Sequence, residues 1–120
     1  YSLDQTYTYQ AIMELKNFLE LYPTDKNAPE AEKKIRELRN KLAYKELKSA
    51  DLYATMDDYR AATIYYENVV NGYFDTDYAD DALYGKIRML VIRKKPADAK
   101  TEIERFETRF PKSPFLQKVK

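Results

Sequence analysis

The feature that most constrains this fold is a spacing of apolar residues that occurs three times. In the central copy Ala62 is followed by Tyr66, Val69 and Tyr73, then by Tyr78, Ala79 and Ala82. Upstream, Ala11, Leu15, Phe18, Tyr22, Asn27, Ala28 and Ala31 repeat it. Downstream, Ala99, Ile103, Phe106, Phe110 and Phe115 do so again, with Pro23, Phe74 and Pro111 at equivalent places. Steps of four and three residues keep these side chains on one face of an α-helix. One helix pair cannot bury such a face, so the repetition predicts helix–turn–helix units stacked on one another. Ala62 and Ala99 lie 37 residues apart and Ala11 and Ala62 51 apart, the excess being a longer second helix.

In chain order, Asp4 is the expected N-cap of a first helix that runs to Tyr22 and is stopped by Pro23. The second helix is expected from Pro29 to Ala54. Its apolar stripe begins as Ala31, Ile35, Leu38 and Leu42 and restarts one position later as Ala43, Leu47, Ala50 and Ala54. The buried face therefore rotates, with the first half meeting its own partner helix and the second half the following repeat. Asp57 and Asp58 cap a third helix ending at Asn71–Gly72. The fourth, about Asp77 to Arg93, has Asp80 and Asp81 in its first turn, where the backbone dipole favours negative charge. Gly85 lies within that helix at a cost of about 1 kcal/mol relative to alanine, which predicts a close helix–helix approach there. A fifth helix follows Lys94-Lys95-Pro96 and runs to Phe110, and a sixth begins after Pro114. The expectation is an all-α solenoid of five helices plus the start of a sixth, one repeat domain over residues 1–120. A start at Tyr1 without methionine suggests part of a longer protein, with an incomplete array that leaves the fifth-helix face of Phe106 and Phe110 exposed or covered by a second copy.

The chain has no cysteine and no histidine. This excludes disulfides, thiolate or imidazole zinc sites, and any catalysis that needs a thiol or an imidazole. The acidic pairs at helix starts read as caps, and no EF-hand spacing or glycine-rich phosphate loop exists. Neither a cofactor, a metal nor an enzymatic activity is expected. No stretch approaches the roughly 18 apolar residues of a membrane span, and no signal peptide is visible. Charge is unevenly placed: residues 51–85 carry one basic and eight acidic side chains, residues 86–120 eleven basic and four acidic. Such segments suit weak attraction between neighbouring repeats, or a basic end that meets an acidic partner. The basic run lacks the interleaved aromatics of single-strand binders, so nucleic acid is not an expected ligand.

Twelve tyrosines in 120 residues are an excess that calls for a reason. Tyr22, Tyr66, Tyr73 and Tyr78 occupy repeat positions expected to be buried. Tyr9, Tyr44, Tyr65 and Tyr84 fit the stripes less well, and exposed tyrosine suits protein recognition. The candidate partner-binding residues are therefore Tyr65, Tyr84 and Tyr44, with Arg93, Lys94 and Lys95 at the basic turn. Position 65 lies about 100° from position 66 around the helix, so Tyr65 should project beside the core face.

Helix pairs with alanine at the crossing and an aromatic at the turn resemble tetratricopeptide repeats. More specific strings occur in order: Asp4-Gln5-Thr6, Tyr22-Pro23, Leu42-Ala43 with Glu46, Ala50-x-x-Tyr53, Tyr59-x-Ala61-Ala62, and Tyr73 through Asp75-Thr76 to Ala82-Leu83-Tyr84. Together they resemble the BamD (ComL-type) lipoproteins over nearly the whole chain, in what would be their middle and C-terminal repeats. That resemblance implies a non-catalytic periplasmic scaffold, held to the outer membrane by a lipid on an N-terminal cysteine outside this chain. It implies as partners the periplasmic domains of the barrel subunit BamA and unfolded outer-membrane proteins. Where such proteins carry an arginine that docks on BamA, this chain has Tyr65, so a contact there is aromatic or lies elsewhere. The alternatives are another periplasmic tetratricopeptide module of the cell envelope and a cytoplasmic peptide-binding repeat.

Overall fold

A computed structural model describes the backbone of residues 2–119 and the side chains of residues 5–118. Six helices follow one another: α1 (Ser2–Leu21), α2 (Ala28–Thr55), α3 (Tyr59–Gly72), α4 (Ala79–Ile92), α5 (Pro96–Arg109) and the short α6 (Leu116–Val119). No strand occurs among the described residues. The fold is thus all-α, and each helix lies within two residues of its expected bounds except at the start of α1. That helix already begins at Ser2, so Asp4 is in its first turn and not at its cap, and the Asp4 side chain lies outside the described residues.

The repeat is written in the turns. After α1, α3 and α5 the same three backbone hydrogen bonds recur. The amide of the aromatic Tyr22, Tyr73 or Phe110 donates four residues back, to Phe18, Val69 or Phe106. The amides of Asp25, Thr76 and Ser113 donate to those aromatics, and the amides of Ala28, Ala79 and Leu116 donate to Asp25, Thr76 and Ser113, at 2.8–3.4 Å. The middle residue carries a short side-chain oxygen each time, which bonds nearby backbone and holds a tight turn. Asp25 accepts from the Asn27 amide at 2.8 Å, and Ser113 from the Phe115 amide at 3.1 Å. Thr76 donates to the Tyr73 carbonyl at 2.7 Å.

The turns after α2 and α4 form a second matched pair. The Asp57 and Asp58 amides donate to the carbonyls of Ala54 and Tyr53, and those of Lys94 and Lys95 to Val91 and Leu90. This is the Schellman arrangement, which needs a left-handed residue just past the helix. Asp57 (φ 62°) and Lys94 (φ 60°) supply it. Asp58 then caps α3 by accepting from the Ala61 amide at 3.2 Å, and Pro96 opens α5, where its missing amide costs nothing.

The chain divides into two compact units, residues 1–42 and 43–120. The division falls where the apolar stripe of α2 restarts, between Leu42 and Ala43. In the first unit Thr8 and Ile12 of α1 and Ala28, Ala31 and Leu42 of α2 are buried. In the second, Leu47 and Ala50 from the end of α2 join Ala62, Tyr66, Val69, Val70, Leu83, Ile87 and Phe106 in one core. There α3 packs on α4, α4 on α5, and α5 on α6.

Gly85 stands at the expected close approach, since a Cβ placed on it would lie 2.6 Å from the Tyr66 ring. Ala62 and Ala82 are fully buried, while Ala11 is only half-buried. Two expectations fail. Phe106 is fully buried and Phe110 half-buried, because α5 turns this face toward α3 and α4, and Phe110 closes over Phe106 edge-on at 5.5 Å. Tyr22 is 57% exposed. It contacts the Phe18 ring at 5.7 Å, whereas its repeat counterpart Tyr73 packs against the larger core of the second unit.

Candidate functional site

The six residues singled out from sequence all belong to the second unit, in differing surroundings. Tyr65 is half-buried on the flank of the core, its ring stacked on Tyr53 at 5.1 Å, so it is less exposed than its position in the stripe suggested. Tyr44 is exposed, with the Tyr78 ring 5.4 Å away and Lys48 5.2 Å from the ring centre. Arg93, Lys94 and Lys95 form the turn after α4, with Lys94 and Lys95 exposed. Lys94 also has the conformational task of closing the helix. Tyr84 is half-buried and stacks on Phe115 at 5.1 Å. Arg88 lies 5.9 Å and Lys118 6.0 Å from the Tyr84 ring centre.

Tyr84 is also a wall of a recess of about 650 Å³ formed by the end of α2, α3, α4 and the residue before α6. Its other walls include Asp51, Tyr59, Tyr66, Asp81, Arg88, Ile92 and Phe115, while Tyr65, Tyr44 and the basic turn do not line it. The Tyr66 hydroxyl donates to Asp51 Oδ1 at 2.6 Å. Burial, and then that hydrogen bond to a carboxylate, hold the Tyr66 pKa well above its ordinary value. Burial likewise pushes the Asp81 carboxyl up, reinforced by Asp51 and Asp80, and the opposing pull of Lys48 and Lys118 does not cancel it. Asp80 is anchored from another side by the Ser113 hydroxyl, at 2.7 Å.

On α3, α4 and α5, Glu67 and Glu102 share two cations. Lys86 bridges Glu67 and Glu102, and Arg105 reaches Glu67 at 3.1 Å, Glu102 at 3.0 Å and the Asn71 amide oxygen at 3.1 Å. Burial opposes the charge on Glu67, but hydrogen bonds from Lys86 and Arg105 outweigh it and its pKa is lowered. The pairing joins the acidic segment to the basic one, as attraction between neighbouring repeats requires.

Sequence reasoning singled out neither the recess nor this network. Glu102 and Arg105 carry the one local signal, an i, i+3 pair on a helix. Asp51 and Tyr66 are 15 residues apart, and Glu67 and Lys86 are 19 apart. Only the packing of different helices brings them together.

The YfiO family model, described as outer membrane lipoprotein, matches residues 1–93. The outer membrane protein assembly factor BamD of Neisseria meningitidis serogroup B (strain ATCC BAA-335 / MC58) is 32% identical over 111 residues. That alignment covers 91% of this chain and 40% of the relative, so the chain spans about two fifths of its length.

Proposed function

Because the chain belongs to the YfiO family of outer membrane lipoproteins, we propose that it is a protein-binding, non-catalytic scaffold segment of the machine that assembles β-barrel proteins in the bacterial outer membrane. The observation that carries this reading is the 32% identity to an assembly factor across 91% of the chain. The architecture fits it, since stacked helix pairs offer extended surfaces and little enclosed volume. No helix, among the described residues, is long and apolar enough to cross a membrane. Attachment at the periplasmic face through an N-terminal lipid fits a lipoprotein family.

The proposed partners are the periplasmic domains of a BamA-like barrel subunit and, in addition, unfolded outer-membrane proteins. Tyr44, Tyr84 and Tyr65 offer aromatic contact area, and Arg93, Lys94 and Lys95 a basic docking end. Tyr44 and the basic turn are the most open of these and give the cleanest test. Titration of the protein against the periplasmic region of the BamA subunit from the same organism should show saturable binding. Tyr44→Ala should weaken it by about 1–2 kcal/mol, as loss of an interface anchor does. Replacing Lys94 and Lys95 by glutamate should slow association and reduce its salt dependence. Absence of binding by the unaltered protein would overturn the reading.

A further inference from the structure

At the tip between α4 and α5 the chain runs Val91-Ile92-Arg93-Lys94-Lys95, two aliphatic side chains followed by three cations. Val91 is 60% and Ile92 45% exposed, whereas Ile87, Met89 and Leu90 just before them are buried. Every residue from Lys94 to Asp98 is exposed as well. Lys86 and Arg105 are taken up by Glu67 and Glu102, but among the described residues no carboxylate pairs with Arg93, Lys94 or Lys95. Residues 88–100 hold five bases, with Asp98 the one acid. In the matching turn one repeat earlier, Asp57 and Asp58 are held locally, by the Tyr59 hydroxyl and the Ala61 amide.

We propose that this tip rests on the anionic phospholipid surface of a membrane. Val91 and Ile92 enter the headgroup layer, and Arg93, Lys94 and Lys95 meet the lipid phosphates. Buried aliphatic area and attraction to anionic lipid are the two contributions that hold a segment at such an interface. The long lysine stems keep the ammonium groups at phosphate level while the shorter aliphatic side chains lie deeper. The backbone is already closed, since the Lys94 and Lys95 amides donate to the Val91 and Leu90 carbonyls at 3.1 and 2.9 Å, so contact costs little ordering.

The composition of the tip favours a bilayer over a protein as the surface it settles on. Protein interfaces are depleted in lysine and owe most of their affinity to tryptophan, tyrosine and arginine seated in pockets. This tip is rich in lysine, residues 85–105 contain no aromatic residue, and Val91, Lys94 and Lys95 stand outside the recess beside Tyr84. The inference goes beyond the assembly reading, in which the same lysines steer encounter with a partner. Vesicles that carry no protein test it separately.

The test is flotation of the protein, at low salt, with vesicles of phosphatidylethanolamine and phosphatidylglycerol, and in parallel with vesicles of phosphatidylcholine. Partitioning onto the anionic vesicles is expected, weakening as salt is raised, and none onto phosphatidylcholine. Lys94→Gln and Lys95→Gln should each weaken it about fivefold, the usual share of one lysine near an anionic surface. Both side chains are exposed, and circular dichroism confirms that the variants remain folded. The chain has no cysteine, so Val91→Cys takes a single environment-sensitive dye whose emission should shift to the blue on anionic vesicles. The same dye on Thr108→Cys, exposed near the other end of α5, should not shift. Equal partitioning onto phosphatidylcholine would overturn the proposal, as would undiminished binding by the folded variant carrying both glutamines, or equal dye shifts at positions 91 and 108. Release by inorganic phosphate, where chloride of the same ionic strength releases nothing, would overturn the bilayer in favour of a site for a single phosphate group.

Discussion

At Tyr66 the ring and the hydroxyl are fixed by different neighbours. Gly85 leaves the ring its space, and Asp51 accepts its proton donor at 2.6 Å. A methyl group at position 85 would meet ring carbons at 2.6 Å, and the ring, 4% exposed and tethered at its far end, has nowhere to retreat. Overpacking of this kind costs about 1–3 kcal/mol, while alanine returns about 1 kcal/mol of helix propensity. Gly85→Ala should therefore lower stability in urea unfolding by up to about 2 kcal/mol, and Tyr66→Leu in the same chain should make the pair of changes cost less than their sum. The hydroxyl gives a separate test at alkaline pH. Unfolded tyrosine ionises near pH 10, whereas Tyr66 in the fold keeps its proton above that point. The folded state then binds more protons, so its stability falls as pH rises beyond about 10. Tyr66→Phe should flatten that fall, since burial first and the Asp51 bond second hold the Tyr66 pKa up, and an unchanged slope would mean that Tyr66 does not govern alkaline stability.

The elements are defined as much by their ends as by their stripes. Lys94 and Asp57 close α4 and α2 in the same left-handed conformation, 37 residues apart, the distance that separates Ala62 from Ala99. That conformation costs a side chain about 1–2 kcal/mol, partly offset by the extra unfolded-state entropy of a glycine, about 0.5–1 kcal/mol. Lys94→Gly should accordingly raise stability by about 0.5–1 kcal/mol in thermal melting. Asp57→Gly should gain less, because it also loses the bond that the Tyr59 hydroxyl donates to Asp57 at 2.8 Å. Helix order and the restart of the α2 stripe were legible because periodicity is a local property. The left-handed residues were not, since lysine at position 94 carries no sign of the conformation that glycine would have announced. The oxygen-bearing residues at positions 25, 76 and 113 were a readable signal of the turns, hidden because each is a different amino acid.

Across the whole molecule the opposite charges of residues 51–85 and 86–120 come together only in part. Glu67 meets Lys86 and Arg105 on α3, α4 and α5, while Lys94 and Lys95 remain exposed in their turn. Composition showed that such attraction was available, yet which acid meets which base depends on helix packing that no local pattern encodes; the recess was unreadable for the same reason. The consequence is an uneven distribution of stability. The second unit fully buries Phe106, Leu83, Val69 and Val70 and adds the network, whereas the first unit buries mainly small side chains beside Ile12 and Leu42. Native-state hydrogen exchange should therefore find the amides of Val69, Val70 and Leu83 opening at the highest free energy, and those of α1 at a lower one. Glu67→Gln should reduce protection in α3, α4 and α5 by about 1–2 kcal/mol, less than a fully buried pair because water reaches this one, and leave α1 unchanged. Acid should act alike. The Glu67 pKa lies below its ordinary value of 4.5, so the unfolded state binds the extra proton near that pH. The network's contribution is then complete above about 4.5 and is lost as pH falls through the lowered value. Exchange measured from neutral pH down to about 3 should show the advantage of α3 to α5 over α1 shrinking in the unaltered protein and shrinking less in Glu67→Gln. Equal narrowing in both would mean that other carboxylates govern acid stability.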